Sequence, residues 1–411
     1  MFKILIKNIS AKEILDSRGN PTLEVSLWTE NFCGVAAVPS GASTGKYEAA
    51  ELRDGDKNRF NGLGVKKAIQ NIEKIIAPKL NGMSVFDQVK IDNLMKKMDG
   101  TKNKSRLGGN AMLGVSLAVA RAAAASKNQP LYKYLGNFFN VKPQMPRLYM
   151  NLINGGKHAN NDLAFQEYHI VPETNDMEKA LEFGTAVFRE LKKAVIKKYG
   201  KLSANIGDEG GLVPDITDAE EPLKILWSIV KMSNVKCYLA LDVAANSFYE
   251  KGKYIINNKK LKTEDLLNLY KNLIKRYPMV SIEDPFHEED FDNFARLREF
   301  ADKFKVKIVG DDLTVTNPER IKQAIKKGSI SGIIIKPNQI GTLTEVIEAI
   351  KISQKNNITC IVSHRSGETN DDFISDLAVA SGAFGIKAGA PIRGERVAKY
   401  NRLWEINRGL K

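Results

Sequence analysis

Apolar runs of strand length alternate with longer amphipathic stretches through the last two thirds of the chain. The first two runs, 148–153 and 164–171, are followed by helix-like stretches at about 176–199 and 218–231. Six strand–helix units come next, with apolar runs at 237–243, 280–284, 306–311, 332–336, 358–363 and 384–387. Continuous apolar runs are typical of strands that are covered on both faces. Two strands plus six make eight, so the pattern predicts an α/β fold with a TIM-type barrel of ββαα(βα)6 order.

The part of the chain before these units has a different pattern. Runs at 4–9, 11–15 and 21–28 predict an antiparallel meander, and stretches at 65–80 and 109–126 predict helices. The mixture favours a separate domain of α+β type.

A proline-bearing stretch at 141–147 separates the two parts. We therefore expect a smaller α+β N-terminal domain over 1–135 and a catalytic barrel over 143–411. The second span contains 411 − 142 = 269 residues, close to the roughly 250 residues of a TIM barrel.

A polar residue ends each of the last six apolar runs. In chain order these residues are Asp242, Glu283, Asp311, Lys336, His364 and Lys387. Any one of them could be a surface residue where a strand meets its loop. Six in succession are hard to explain in that way, and in a barrel all six would lie on the C-terminal rim, where TIM-barrel enzymes have their active sites.

The residue types at the strand ends indicate a chemistry. Asp242, Glu283 and Asp311 supply oxygen ligands, which suit Mg²⁺ better than zinc because the set contains no His or Cys. A lysine beside cations in a desolvated site has a lowered pKa and can act as a base. Mg²⁺ with a lysine base abstracts protons next to carboxylates. The spacing alone does not separate Lys336 from Lys387 as that base.

Further candidates lie in loops. Glu209 lies in the glycine-flanked turn 207–211, His158 follows a glycine pair, and Gln166 and Glu167 lie at the end of the second apolar run. The Glu209 segment could equally be a simple turn. Loop 39–45 is rich in Gly and Ser but lacks the Walker spacing, so we interpret it as a loop that closes on the barrel.

Composition and charge change this picture little. Hydrophobic residues make up 43% of the chain, and the net charge is 62 − 48 = +14. A nucleic-acid partner is one interpretation of that charge, but the lysines are dispersed, as in 192–198, so we expect no nucleic-acid partner. No apolar run reaches the roughly 18 residues of a membrane span. The three cysteines form no CxxC, and we expect a cytoplasmic location.

Together these motifs closely resemble the enolase (phosphopyruvate hydratase) family over nearly the whole chain. The matching segments are 16–21 (DSRGNP), 38–45 (VPSGASTG), 154–156 (NGG) with His158, 207–211 (GDEGG), 281–286 (SIEDPF), 310–317 (GDDLTVTN), Lys336 with 338–342 (NQIGT), 363–369 (SHRSGET) and Lys387 with 389–391 (GAP). The resemblance implies reversible, Mg²⁺-dependent dehydration of 2-phosphoglycerate to phosphoenolpyruvate in glycolysis and gluconeogenesis.

The resemblance also implies roles for single residues. Two Mg²⁺ ions would bind per active site, the first on Asp242, Glu283 and Asp311, and the second with help from Ser43. Lys336 is implied as the base that removes the C2 proton. Lys387 would help to stabilise the resulting negative charge.

For the leaving group, the resemblance implies that Glu209 protonates the C3 hydroxyl with support from Glu167. The remaining substrate contacts would come from Arg365 and Ser366, as a phosphate clamp, and from Gln166, His158 and His364.

Two alternatives stay open from the sequence. One is a racemase or cycloisomerase of the same barrel superfamily, although such enzymes are not expected to combine the Ser43 loop, Glu209 and Arg365-Ser366. The other is an added role in surface or RNA binding, suggested by the positive charge and the terminal Lys411, and with it a secondary cell-surface location. The resemblance implies a homodimer or octamer, and the altered C-terminal segment 402–407 bears on those oligomer contacts.

Overall fold

The computed structural model describes residues 4–41, 45–174, 176–256 and 259–410. In the N-terminal part, three strands form an antiparallel sheet with order β1-β2-β3. Their bounds are Asn8–Leu15 (β1), Pro21–Trp28 (β2) and Cys33–Ala37 (β3). The α-helices of this part are Lys66–Asn71 (α1), Ala77–Leu80 (α2), Gln88–Asp99 (α3), Gly109–Ser126 (α4) and Leu131–Gly136 (α5), and a π-helical turn, Ile72–Ile76, joins the first two.

The meander differs from the prediction at both of its ends. Runs 4–9 and 11–15 are not two strands: a single strand, β1, begins at Asn8, and Leu5 makes only an isolated bridge to Ser84. The sequence pattern also missed β3. Gly34 lies in that strand against α4, and a Cβ there would come within 2.1 Å of the Ala118 carbonyl oxygen. A glycine is therefore required for this helix to pack on the sheet.

The described residues of the second part form eleven strands. These are Arg147–Asn154 (β4), Glu167–Pro172 (β5), Cys237–Asp242 (β6), Tyr249–Glu250 (β7), Lys253–Ile256 (β8), Lys259–Leu261 (β9), Met279–Glu283 (β10), Lys307–Gly310 (β11), Gly332–Ile335 (β12), Thr359–Ser363 (β13) and Gly385–Lys387 (β14). Its α-helices are Met177–Tyr199 (α6), Glu221–Val230 (α7), Thr263–Arg276 (α8), Phe291–Asp302 (α9), Pro318–Lys326 (α10), Pro337–Ile340 (α11), Leu343–Lys355 (α12), Phe373–Ala380 (α13) and Gly394–Leu410 (α14).

Eight of these strands close into a barrel, which confirms the predicted fold. The hydrogen-bonded order is β4-β5-β6-β10-β11-β12-β13-β14, and β14 pairs with β4. Strand β5 runs antiparallel to both of its neighbours, whereas the other pairs are parallel. Its first residue therefore lies on the rim where the other strands have their last residues.

The long interval between β6 and β10 contains more than one strand–helix unit. A small antiparallel sheet, β7-β8-β9, precedes α8 there. Its strands have two to four residues, which is too short for a clear alternation of polar and apolar positions. This insertion explains why the 41-residue gap between Asp242 and Glu283 exceeds the others.

Contacts between the two parts bring the N-terminal loops to the barrel rim. Ser40 and Gly367 exchange backbone hydrogen bonds of 2.7 and 2.9 Å. On another side, the buried Asp92 of α3 accepts hydrogen bonds from the backbone N–H (3.0 Å) and the hydroxyl (2.6 Å) of Thr344 at the start of α12. The rim is therefore covered by N-terminal residues that follow β3.

No helix in the described part of the chain has both the length and the apolar character that a transmembrane helix needs.

Candidate active site

One cavity lies at the carboxyl ends of the barrel strands, and most of its walls are charged or polar. The residues that line it are His158, Gln166, Glu167, Glu209, Asp242, Ala244, Asp284, Asp311, Asp312, Lys336, Ser363, His364, Arg365 and Ser366. Ten of the residues predicted for the site are among them. Two more, Glu283 and Lys387, are buried and contact this wall, and the thirteenth, Ser43, lies outside the described residues.

Lys387 lies at the centre of a buried group of carboxylates. It ends β14, and its Nζ is 2.9 Å from both carboxylate oxygens of Glu283, 3.1 Å from Asp242 Oδ2 and 3.3 Å from Glu167 Oε2. Burial opposes its charge, but Asp242, Glu167 and Glu283 outweigh that effect and hold the pKa of Lys387 well above its ordinary value. Lys387 is therefore a fixed cation.

Lys336 follows β12 and is held by Asp311. Its ammonium contacts Asp311 Oδ2, while the side-chain N–H of Gln339 donates to Asp311 Oδ1 at 2.8 Å. Burial would lower the pKa of Lys336, but the attraction of Asp311 is stronger and raises it. Asp311 is therefore the charged group that controls the pKa of Lys336 among the described residues.

Carboxylates at the ends of the barrel strands crowd one side of the cavity. Asp242 and Glu283 are register partners at the ends of β6 and β10, and Asp311 follows the adjacent strand, β11. Burial, and then the proximity of Asp242, raise the pKa of Glu283 well above its ordinary value. Crowded buried carboxylates of this kind are stabilised by a bound cation. Oxygens of Asp284, Asp311 and Asp312 lie within 4.8 Å of one another, so this side of the cavity has the donors that Mg²⁺ prefers.

A second group of ligand-type side chains surrounds Glu209. His158 Nδ1 lies 3.5 Å from Glu209 Oε1 and also 3.5 Å from Glu167 Oε1. On the other carboxylate oxygen, Asn151 Nδ2 donates to Glu209 Oε2 at 3.0 Å, and His364 Nε2 lies 3.3 Å away. Glu209 is 2% exposed, so its carboxyl group is held among polar partners and away from bulk water.

Arg365 links the barrel rim to the N-terminal domain. Its Nη1 and Nη2 donate to the two carboxylate oxygens of Glu48 at 2.8 and 3.3 Å, and Nη1 also donates to Asn338 Oδ1 at 3.1 Å. The planar guanidinium fork is buried and charged, which suits two oxygens of a phosphate group. Ser366 follows it on the same wall of the cavity.

Comparisons with known proteins identify the family. Residues 6–135 match the N-terminal domain of enolase, and residues 142–411 match its C-terminal TIM barrel domain. The chain belongs to the enolase family. Among its relatives is the enolase of Methanocaldococcus jannaschii, which is 50% identical over 409 residues (98% of this chain and 95% of that protein). The Methanopyrus kandleri enolase is 49% identical over 98% of this chain and 96% of that protein, and the Thermococcus kodakarensis enolase is 49% identical over 99% and 95%.

Membership of the enolase family covers both domains of the chain. The family's lyase activity and its place in glycolysis therefore apply to the chain as a whole. This result decides against the racemase or cycloisomerase alternative, because the likeness includes the N-terminal domain with its glycine- and serine-rich loop.

The sequence pattern placed Gln166 and Glu167 at the wrong end of their strand. Gln166 and Glu167 were expected at the end of a strand, but Glu167 is the first residue of β5. It reaches the rim because β5 is reversed, and it pairs in register with Asp242.

His169, which the sequence analysis did not identify, also contacts the site. It is 1% exposed in β5, and its Nε2 lies 2.9 Å from Glu167 Oε2. The only sequence signal was its position two residues after Glu167, which places both side chains on one face of the strand.

The sequence did not predict three other contacts at the site. Glu48 pairs with Arg365, Gln339 holds Asp311, and Arg396 of α14 donates to His364. No apolar run precedes Glu48 directly, and Arg396 lies in a helix with an ordinary charged composition. Their positions depend on the packing of distant segments, so spacing could not reveal them.

Proposed function

We propose that the chain catalyses the reversible, Mg²⁺-dependent dehydration of 2-phosphoglycerate to phosphoenolpyruvate at this cavity. The observation that carries the proposal is that one cavity is lined by the candidate base Lys336, the candidate acid Glu209 and the candidate phosphate ligand Arg365. A base, an acid and an anion site are the parts that an elimination of water from a phosphorylated hydroxy acid requires.

In this proposal Lys336 removes the proton from C2 of the substrate. Asp242, Glu283 and Asp311 would hold the first of two Mg²⁺ ions per active site, and Ser43 would contribute to the second. When bound, Mg²⁺ stabilises negative charge that develops on the substrate carboxylate. Lys387 adds a fixed positive charge beside the same carboxylates, at 2.9 Å from Glu283.

Glu209 then donates a proton to the C3 hydroxyl, so that the leaving group departs as water. Hydroxide is a poor leaving group, and the acid removes the need to expel it. Glu167 supports this step from the neighbouring position, with His158 between the two carboxyl groups at 3.5 Å from each.

The substrate is bound by the polar walls of the cavity. Arg365 and Ser366 take the phosphate group, because a guanidinium fork binds phosphate with two parallel hydrogen bonds. The other contacts come from Gln166, His158 and His364. Gln166 Oε1 has no hydrogen-bond partner among the residues of the described ranges, so it is available to a ligand.

A direct assay tests the proposal. Purified protein is mixed with 2-phosphoglycerate and Mg²⁺, and the ultraviolet absorbance of phosphoenolpyruvate is followed. We expect an absorbance increase that requires Mg²⁺ and disappears with excess chelator. No increase at any Mg²⁺ concentration would refute the proposed reaction.

We also propose that the chain acts as a cytoplasmic homodimer or octamer. The support is the family alone. Sedimentation velocity at micromolar concentration gives the mass of the particle, and a monomer at all concentrations would contradict this assembly.

A further inference from the structure

Arg396 is a buried residue of α14 that holds the rim of the active site from behind. Its side chain is 0% exposed. Nη1 donates to His364 Nδ1 and to the Arg365 carbonyl, both at 2.6 Å, and Nη2 donates to the carbonyls of Ser366 (2.7 Å) and Asp208 (3.0 Å). One guanidinium therefore binds the His364–Ser366 segment and the turn that carries Glu209.

The bond to His364 determines where the imidazole proton lies. A guanidinium has five N–H donors and no acceptor, and it stays protonated in proteins. His364 Nδ1 must therefore accept, which excludes both the imidazolium and the tautomer with its proton on Nδ1. The remaining form is neutral and carries its proton on Nε2.

The electrostatic surroundings agree with a neutral ring. Burial is the largest effect and lowers the pKa of His364; the attraction of Glu209 opposes it, and burial together with the repulsion of Arg396 outweighs that attraction.

The protonated Nε2 faces the acid. It lies 3.3 Å from Glu209 Oε2, the oxygen that also accepts from Asn151 Nδ2 at 3.0 Å. Two N–H groups thus face one carboxyl oxygen. An oxygen that accepts a hydrogen bond from Asn151 and also faces a second N–H at 3.3 Å is a poor site for a proton, so the proton of a neutral Glu209 belongs on Oε1, beside His158 Nδ1 at 3.5 Å.

We propose that Arg396 is a positioning residue that fixes His364 as the Nε2–H tautomer and thereby places the transferable proton of Glu209 on Oε1. The second half of this inference rests on the proposed role of Glu209 as the acid. The first half concerns His364 alone and requires no catalysis.

Nitrogen-15 NMR of histidine tests the tautomer directly. The chain contains four histidines, so the signals can be assigned by replacing one histidine at a time. We expect His364 to show a protonated, pyrrole-type Nε2 and an unprotonated, pyridine-type Nδ1 at neutral pH. A protonated Nδ1, in either a neutral or a charged ring, would overturn the inference even in a fully active enzyme.

Variants at Arg396 test the link to catalysis. Arg396→Met removes every donor, and we expect His364 to lose the pure Nε2–H pattern and kcat to fall by about tenfold with little change in KM. Arg396→Lys keeps one donor to Nδ1 and should preserve the tautomer and more of kcat. An Arg396→Met enzyme with the wild-type tautomer and wild-type kcat would overturn the proposal.

A matched control separates positioning from general destabilisation. Lys399→Met removes another buried cation of α14, which contacts Glu368 at 2.7 Å and the Thr369 carbonyl at 2.6 Å. It should lower stability but leave the His364 signals unchanged. If Arg396→Met does not fold, the wild-type spectrum still decides the tautomer. An inactive wild type with the expected tautomer would contradict the proposed function and not the assignment of His364.

Discussion

The replacement Lys387→Met should make the stability of the protein depend strongly on Mg²⁺. Lys387 is 1% exposed and contacts three buried carboxylates, those of Glu283, Asp242 and Glu167, at 2.9 to 3.3 Å. Removing one partner of a buried ion pair leaves charge without compensation and costs about 3–5 kcal/mol. We expect a loss of that size in the unfolding free energy when chelator is present.

In the proposed site Mg²⁺ would bind the same carboxylates, so it should restore much of the lost unfolding free energy. A ligand at 100 times its Kd stabilises the folded state by about 2.7 kcal/mol, and at 1,000 times by about 4.1 kcal/mol. The charge of Lys387 opposes a cation beside these groups, so the variant should bind Mg²⁺ at least about tenfold more tightly than the wild type, or ~1.4 kcal/mol.

Urea unfolding in chelator and in millimolar Mg²⁺, for wild type and variant, measures both effects. Lys399→Met serves as the control, because it removes a buried cation that pairs with Glu368. Its loss of stability should be the same in both buffers. If Lys387→Met is equally destabilised with and without Mg²⁺, the carboxylates around Lys387 do not hold the metal and our reasoning fails.

Three further outcomes are expected. Lys336→Ala should abolish turnover while Mg²⁺ binding by calorimetry persists, and activity within tenfold of the wild type, about 1.4 kcal/mol of barrier, would exclude Lys336 as the base. Glu48→Gln should lose about 1–3 kcal/mol of stability, because Arg365 keeps an oxygen partner but loses its counter-charge. Added inorganic phosphate should stabilise this variant more than the wild type in thermal melts. An equal response of the two proteins would argue against phosphate binding at Arg365. Burial raises the pKa of Asp92, so the folded state must give up a tightly held proton as the pH rises above the ordinary value of 3.8. Asp92→Asn avoids that cost, and its stability relative to the wild type should therefore improve from pH 4 to pH 8 in urea unfolding. A constant difference in stability between the two proteins would contradict this prediction.

The barrel was predictable because burial imposes a strong pattern on its strands. Strand β12, Gly332–Ile335, is buried at every position, and the polar residue that follows it, Lys336, marks the change from core to rim. The same change occurs at Asp242, Glu283 and Asp311, so one rule found the strand ends. Short strands on the surface, such as β7–β9, have no such change, and the sequence did not reveal them.

The sequence predicted the site residues that lie at a strand end. It did not predict those whose position depends on the packing of distant segments. Asp311 directly follows β11, but its partner Gln339 comes from the helix after the next strand. Glu48 and Arg365 are 317 residues apart and meet only when the two domains pack. Arg396 is similar, because its target is the rim segment at His364 and its own helix gives no sign of it.

The reversed direction of β5 has a consequence for protein engineering. In most barrels of this type, loops that follow strands are the ones to randomise when a new specificity is sought. Here Glu167 is the first residue of β5 and is the register partner of Asp242 at the rim. The connection between β4 and β5, residues 155–166, therefore faces the cavity, whereas the connection after β5 leaves from the opposite end of the barrel. A library directed at substrate choice should vary the residues that precede β5 and keep those that follow it unchanged.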